Sequence, residues 1–169
     1  RPVTRNGGRV LLYTRSSLNA CEYEPNTKFP EQVWCQLTDV RGGKFYVGVC
    51  YRTPTVSIFN SGNHEVLRSL LNELGAANRH FLLMRDFNYR FTEWPCQGCE
   101  GLSAEAEAFY TCLDDNFLVQ HVTEATRHDA ILDLVVTDEE DMVDEVLRVG
   151  LLGNSDHSAI MWNTREAVT

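Results

Sequence analysis

Positive charge is what this sequence has little of. Fifteen Lys and Arg stand against twenty-four Asp and Glu, a formal net charge of -9. Phosphate contacts need cationic groups, so this balance argues against general affinity for a polyanion. It does not exclude a site that holds phosphate through a metal ion, because the ion brings its own charge. Long apolar runs are also missing: no stretch reaches the ~18 residues of a transmembrane helix, and no membrane partner is expected. The opening residues, Arg1 to Gly8, contain no apolar signal core. Internal repeats and low-complexity linkers are absent too. At 169 residues and 43% hydrophobic content, the chain can build one substantial core and is too short for two.

Cysteines occur at 21, 35, 50, 96, 99 and 112, without the pattern of a disulfide framework. Cys35 and Cys50 sit inside apolar strand-like stretches, which points to reduced thiols in an intracellular protein. Cys96-Gln-Gly-Cys99, followed by Cys112 and His121, has partial zinc-ligand spacing. Only one pair is tight, so an ordinary loop is the favoured reading over a structural zinc or a redox pair.

Hydrophobic periodicity outlines an α/β fold. Residues 9–14, 33–38, 45–51, 81–84 and 131–137 read as strands, and 118–122 as a short one. Gly42-Gly43 suits an antiparallel hairpin between the second and third of these, and Pro54 ends the third. Val66, Leu67, Leu70, Leu71 and Leu74 recur at helical spacing, with Asn63 or Ser61 as the cap and Gly75 at the far end. A second helix over about 104–114 would turn Leu102, Ala106, Phe109 and Leu113 towards the sheet. Residues 16–31 read as a loop or edge excursion, and 143–149 fits either a helical turn or a strand.

Three places carry chemistry. The run Phe81 to Met84 breaks into Arg85-Asp86-Phe87-Asn88. If the backbone stays extended there, Asp86 and Asn88 share one face at a strand's carboxyl end, where open α/β sheets often build sites. The alternative is a strand followed by an Asx turn. Asp133 interrupts the strongest apolar run of the second half and must be paired, since unpaired burial is expensive. Gly153-Asn-Ser-Asp-His157 reads as an active-site loop entering the last strand.

The stretch Leu82 to Asn88 resembles the Gly-Asp-Phe-Asn element of the endonuclease/exonuclease/phosphatase superfamily, most closely in the endonuclease domains of non-LTR retrotransposon (reverse transcriptase) proteins. Residues 7–15, 45–54, 81–94, 126–137 and 149–160 follow that pattern in order. The resemblance implies a two-layer β-sandwich flanked by helices, the DNase I-like four-layer fold. It also implies that the fold is partial, with residues 1–169 forming its C-terminal two thirds, because nothing before Arg1 corresponds to the superfamily's first segment and its metal-binding glutamate.

By the same resemblance, Asp86 would orient or deprotonate the attacking water and Asn88 would hold the phosphate or that carboxylate. His157 would contact the scissile phosphate, Asp133 would fix its tautomer, and Tyr51 would approach phosphate or the leaving oxygen. Asp156, together with Asp86, would serve the metal, Mg2+ or alternatively Mn2+. Hard magnesium takes oxygen ligands and retains waters, so one or two carboxylates plus substrate phosphate can suffice. The implied role is Mg-dependent hydrolysis of DNA phosphodiesters by a parent protein, with a reverse transcriptase domain downstream and a nuclear location. Cation binding and catalysis are expected to be weak or absent in this chain, because the glutamate is missing and Arg85 replaces the motif's glycine. The alternative is a non-catalytic remnant acting as a structural or binding module. A phosphoesterase acting on lipid or nucleotide is a third, less favoured reading.

Overall fold

In the computed structural model the described residues are 10–38, 41–53, 63–77, 79–96 and 101–165, with the side chain of Arg85 excepted. Ten elements follow one another: β1 (Cys21–Tyr23), β2 (Gln32–Thr38), β3 (Lys44–Cys50), α1 (Asn63–Ala76), β4 (His80–Phe91), α2 (Ala104–Asp115), β5 (Val119–Gln120), β6 (Ile131–Thr137), β7 (Leu147–Leu151) and β8 (Ser158–Met161). The first six strands form one mixed sheet in the order β1-β2-β3-β4-β6-β5. Strands β3 and β4 run parallel, which requires the crossover that α1 provides, and every other pair is antiparallel.

The two apolar runs that define the centre lie where their patterning requires. In β6 every residue is buried except Asp133, the signature of a strand covered on both faces. Helix α1 buries Leu67, Leu70, Leu71 and Leu74, and α2 buries Ala106, Phe109, Cys112 and Leu113. Helix α2 starts at Ser103, whose hydroxyl accepts the Ala106 N–H at 3.2 Å, and its first turn carries Glu105 and Glu107. Phe109 packs against Phe87, Tyr89 and Phe91, its ring stacked on Tyr89 at 4.5 Å. Truncation there costs about 3–5 kcal/mol.

The sheet flanked by two helices is the expected DNase I-like arrangement in part. The second sheet is represented, among the described residues, by the antiparallel pair β7–β8. Several details depart from the sequence reading. Residues 10–14 form no strand, and Gly7, Gly8 and Arg9 lie outside the described residues. Val10 is buried while Leu11 and Tyr13 are exposed, so the segment touches the core without a ladder partner. The 16–31 segment contains the edge strand β1. Helix α1 continues through Gly75, where a Cβ would lie 2.6 Å from Asn116 Oδ1; close approach, rather than termination, requires glycine there.

Candidate active site

Strands β4 and β6 bring two carboxylates together. Asp86 and Asp133 are direct partners across the antiparallel ladder, so their side chains leave the sheet on the same face. The loop before β8 adds His157, whose Nδ1 lies 2.7 Å from Asp133 Oδ2. A carboxylate only accepts, so this contact assigns the proton to Nδ1 and leaves Nε2 on the Asp86 side. His157 Nε2 is 4.0 Å from Asp86 Oδ2, and the three side chains are only 13–23% exposed.

Thr126 holds this geometry from below. It is 1% exposed, and its hydroxyl accepts the backbone N–H groups of Leu132 and Asp133, both at 3.1 Å. Its carbonyl accepts the Ser158 N–H at 2.7 Å, so one residue joins the Asp133 strand to the His157 loop. A buried threonine near a turn gives no sequence signal of this role.

The Asp86 carboxyl has its pKa raised, first by burial and then by the neighbouring Asp133 charge; the Asn88 N–H and His157 pull the other way. Such a carboxylate is a stronger base than an exposed one. Asn88 N–H donates to Asp86 Oδ1 at 2.9 Å, and Asn88 Nδ2 donates to the Arg52 carbonyl at 2.7 Å. Asn88 adopts φ +52°, and the β4–β6 register shifts between Asp86 and Phe91. Of the two readings of this junction, the extended alternation fails and the Asx turn holds: the Asp86 side chain caps a local turn, a conformation asparagine tolerates. The side chain of Arg85 lies outside the described residues.

Val49 pairs with Met84, so the same register carries Tyr51 level with Asp86. Tyr51 is half-buried and its N–H donates to the Glu31 carbonyl at 2.9 Å. Asp156 is the least embedded of the expected residues. Its side chain is 53% exposed and paired with Arg127 at 2.5 Å. Its pKa is lowered: desolvation, the largest single contribution, raises it, and the Arg127 guanidinium, the chain's own N–H and His157 together outweigh that.

A fit test for a hard divalent cation is therefore met only in part. Asp86 Oδ1 is occupied by Asn88, leaving Oδ2, and Asp156 is held by Arg127. Magnesium at this place would take Asp86 Oδ2 and, once Arg127 is displaced, Asp156. A different group meets the spacing of a ligand set. His80, Asp138 and Glu139 place ligand atoms within 4.8 Å of one another, a candidate divalent-metal cluster at the amino end of β4. Among the cysteines, Cys96 Sγ lies 3.9 Å from the Glu93 carbonyl, Cys112 Sγ contacts the Arg68 carbonyl and Asn72 Oδ1, and Cys99 lies outside the described residues. His121 Nε2 is 2.7 Å from Thr137 Oγ1.

Comparison with known proteins places this geometry in context. The sequence model of a family described as endonuclease-reverse transcriptase matches residues 45–161. Curated protein sequences gave no match. Among solved structures, an endonuclease/exonuclease/phosphatase family protein from Leptotrichia buccalis aligns with a TM-score of 0.54 and 16% identity, over 86% of this chain and 59% of that one. A mannosyl-6-phosphatase from Bacteroides thetaiotaomicron aligns with a TM-score of 0.51 and 13% identity, over 76% and 54%. The Xenopus laevis APE2 catalytic domain aligns with a TM-score of 0.51 and 10% identity, over 82% and 56%. At these identities the likeness is one of fold, and the chain spans little more than half of each structure.

Proposed function

Because the chain belongs to the endonuclease-reverse transcriptase family, within the endonuclease/exonuclease/phosphatase superfamily, we propose that it carries the base-bearing part of a metal-dependent phosphodiesterase acting on DNA. One observation carries the reading: an Asp133-anchored imidazole directs its second nitrogen towards a carboxylate whose pKa is raised. Asp86 orients and deprotonates the attacking water, and Asn88 keeps that carboxylate in place. His157 contacts the scissile phosphate, with Asp133 fixing its tautomer, and Tyr51 stands towards the leaving oxygen. A bound divalent ion would supply the positive charge that these residues lack and would polarise the phosphoryl group. DNA as the substrate, a retrotransposon-type parent, a downstream reverse transcriptase domain and a nuclear location belong to the same proposal.

A non-catalytic module is the second reading, favoured by the Asp156–Arg127 pair and by a ligand cluster remote from His157. The 169-residue chain, Asp86→Ala and His157→Ala are to be compared for nicking of supercoiled DNA with magnesium, with chelator as control. Weak nicking lost in both variants and on chelation supports the hydrolase. The same trace activity in all three proteins supports the module.

A further inference from the structure

We propose that Arg52 is a positioning residue of this site: its guanidinium and backbone together fix the turn Asp86-Phe87-Asn88 and so aim the Asp86 carboxylate. The inference rests on the hydrolase reading above and deepens it. Arg52 follows β3 and is 4% exposed. Its N–H donates to the Asp86 carbonyl at 3.1 Å, its Nε to the Phe87 carbonyl, and its Nη2 to the Asn88 carbonyl at 2.6 Å. Its own carbonyl accepts Asn88 Nδ2 at 2.7 Å. One residue thus bonds each member of the triplet.

In a regular strand successive carbonyls point to opposite sides, so a single side chain cannot reach two of them in a row. Phe87 and Asn88 present both carbonyls to one guanidinium because the chain turns at Asn88, at φ +52°. The planar fork of arginine matches two adjacent acceptors, and an ammonium does not. A charge this buried demands such partners. The Tyr89 ring lies 4.0 Å from the guanidinium carbon and supplies a face for the cation, and its hydroxyl is held 3.0 Å from His64 Nδ1. Releasing the fork frees Asn88 to become extended and breaks its N–H bond to Asp86 Oδ1. The groups that face Asp86 are Asp133 from β6, His157 from the loop before β8, Asn88 and Arg52.

The test is Arg52→Lys in the full 169-residue chain, followed by the Asn88 amide resonance, the Asn88 φ angle from its scalar coupling and the kinetics of nicking. Lysine keeps the charge and loses the fork, so the Asn88 amide should move and its positive φ should be lost. The turnover number should fall about a hundredfold, with KM changed much less, as expected when a reacting group is misaimed. If Arg52→Lys does not fold, Arg52→Gln, a neutral side chain with a single amide donor group, gives the same readouts. An unmoved Asn88 amide and φ in either folded variant would overturn the proposal. Absence of nicking by the unmodified chain, combined with a moved Asn88 amide in the variant, would count against the hydrolase reading while supporting the positioning role.

Discussion

Strand β4 carries two functional-looking clusters, one at its middle and one at its amino end, and they differ in kind. Its middle carries Asp86 beside Asp133 and His157, side chains 13–23% exposed; the Asn88 N–H donates to the Asp86 carboxylate, and the Thr126 hydroxyl accepts the Asp133 N–H. Its amino end carries His80 beside Asp138 and Glu139, side chains 52%, 21% and 52% exposed. Asp86 lies six positions after His80, about 20 Å of extended chain. Burial makes the first group directional: a shared dielectric shifts the Asp86 pKa and a short hydrogen bond fixes a tautomer. Exposure leaves the second group with well-spaced donors and little preorganisation. The buried cluster has the geometry the proposed proton transfer needs, and the exposed cluster has the ligand spacing of a candidate cation site.

The largest effect that would sharpen this contrast is expected at Asp133. Replacement by Asn keeps the shape and removes the charge that holds the imidazole proton on Nδ1. Second-group partners of this kind are worth about 10–100-fold. Nicking should fall by about that factor in Asp133→Asn, and the downfield Nδ1 proton resonance of His157 should disappear. In His80→Ala that resonance should persist. Its loss in His80→Ala would show that the two clusters are coupled.

How much of this could be read in the sequence follows from the range of each interaction. The strands at 81–84 and 131–137 and both helices are set by local periodicity, and they stand where the apolar residues require. The pairing of His157 with Asp133 was reachable through the resemblance, since complementary groups in a known order suggest contact across 24 positions. The Arg52 fork was not reachable: a guanidinium bonded to backbone carbonyls leaves no complementary side chain to notice. The turn at Asn88 is the Asx-turn alternative that Asp86 and Asn88 themselves suggest, whereas the arginine 36 residues away that fixes it leaves no signal. Residues 10–14 misled because an apolar run with a glycine boundary reads as a strand whether or not an edge exists to receive it.

A smaller effect concerns stability against pH. The folded-state pKa of Asp86 is raised, so its proton is held more tightly in the folded than in the unfolded chain. Stability from this group is present below its unfolded pKa and is lost as pH rises through the folded value. At pH 7 the ionised carboxylate is therefore a cost to the fold. Asp86→Asn removes it and still offers an oxygen to the Asn88 N–H. The variant should gain about 0.5–2 kcal/mol at pH 7, the usual scale for relieving a site of this kind, while losing nicking. The gain should vanish in acid, where the native carboxyl is already protonated. Denaturation of both proteins at pH 3 and pH 7 checks this, and destabilisation by Asp86→Asn at pH 7 would deny that burial dominates at Asp86.

The smallest effect is expected at the amino end of the strand. His80 Nδ1 lies 3.2 Å from Asp138 Oδ2 and 3.3 Å from Glu139 Oε1, while Asp138 Oδ1 is anchored by the Phe81 N–H at 2.8 Å. Without an ion these are exposed pairs, worth about 0–1 kcal/mol and screened by salt. Edges of ~3.3 Å are also what two ligands at 2.0–2.1 Å from a tetrahedral ion would show. Imidazole suits zinc better than magnesium, so zinc is the ion to try. An ion that binds only the folded chain stabilises it by about 1.4 kcal/mol at ten times its dissociation constant. Thermal denaturation with zinc should show a rise of a few degrees that Glu139→Gln reduces and His80→Ala abolishes, and magnesium should give less. Equal stabilisation of the unmodified chain and His80→Ala would place the ion elsewhere, and the amino end of β4 would then be a solvated charge cluster and nothing more.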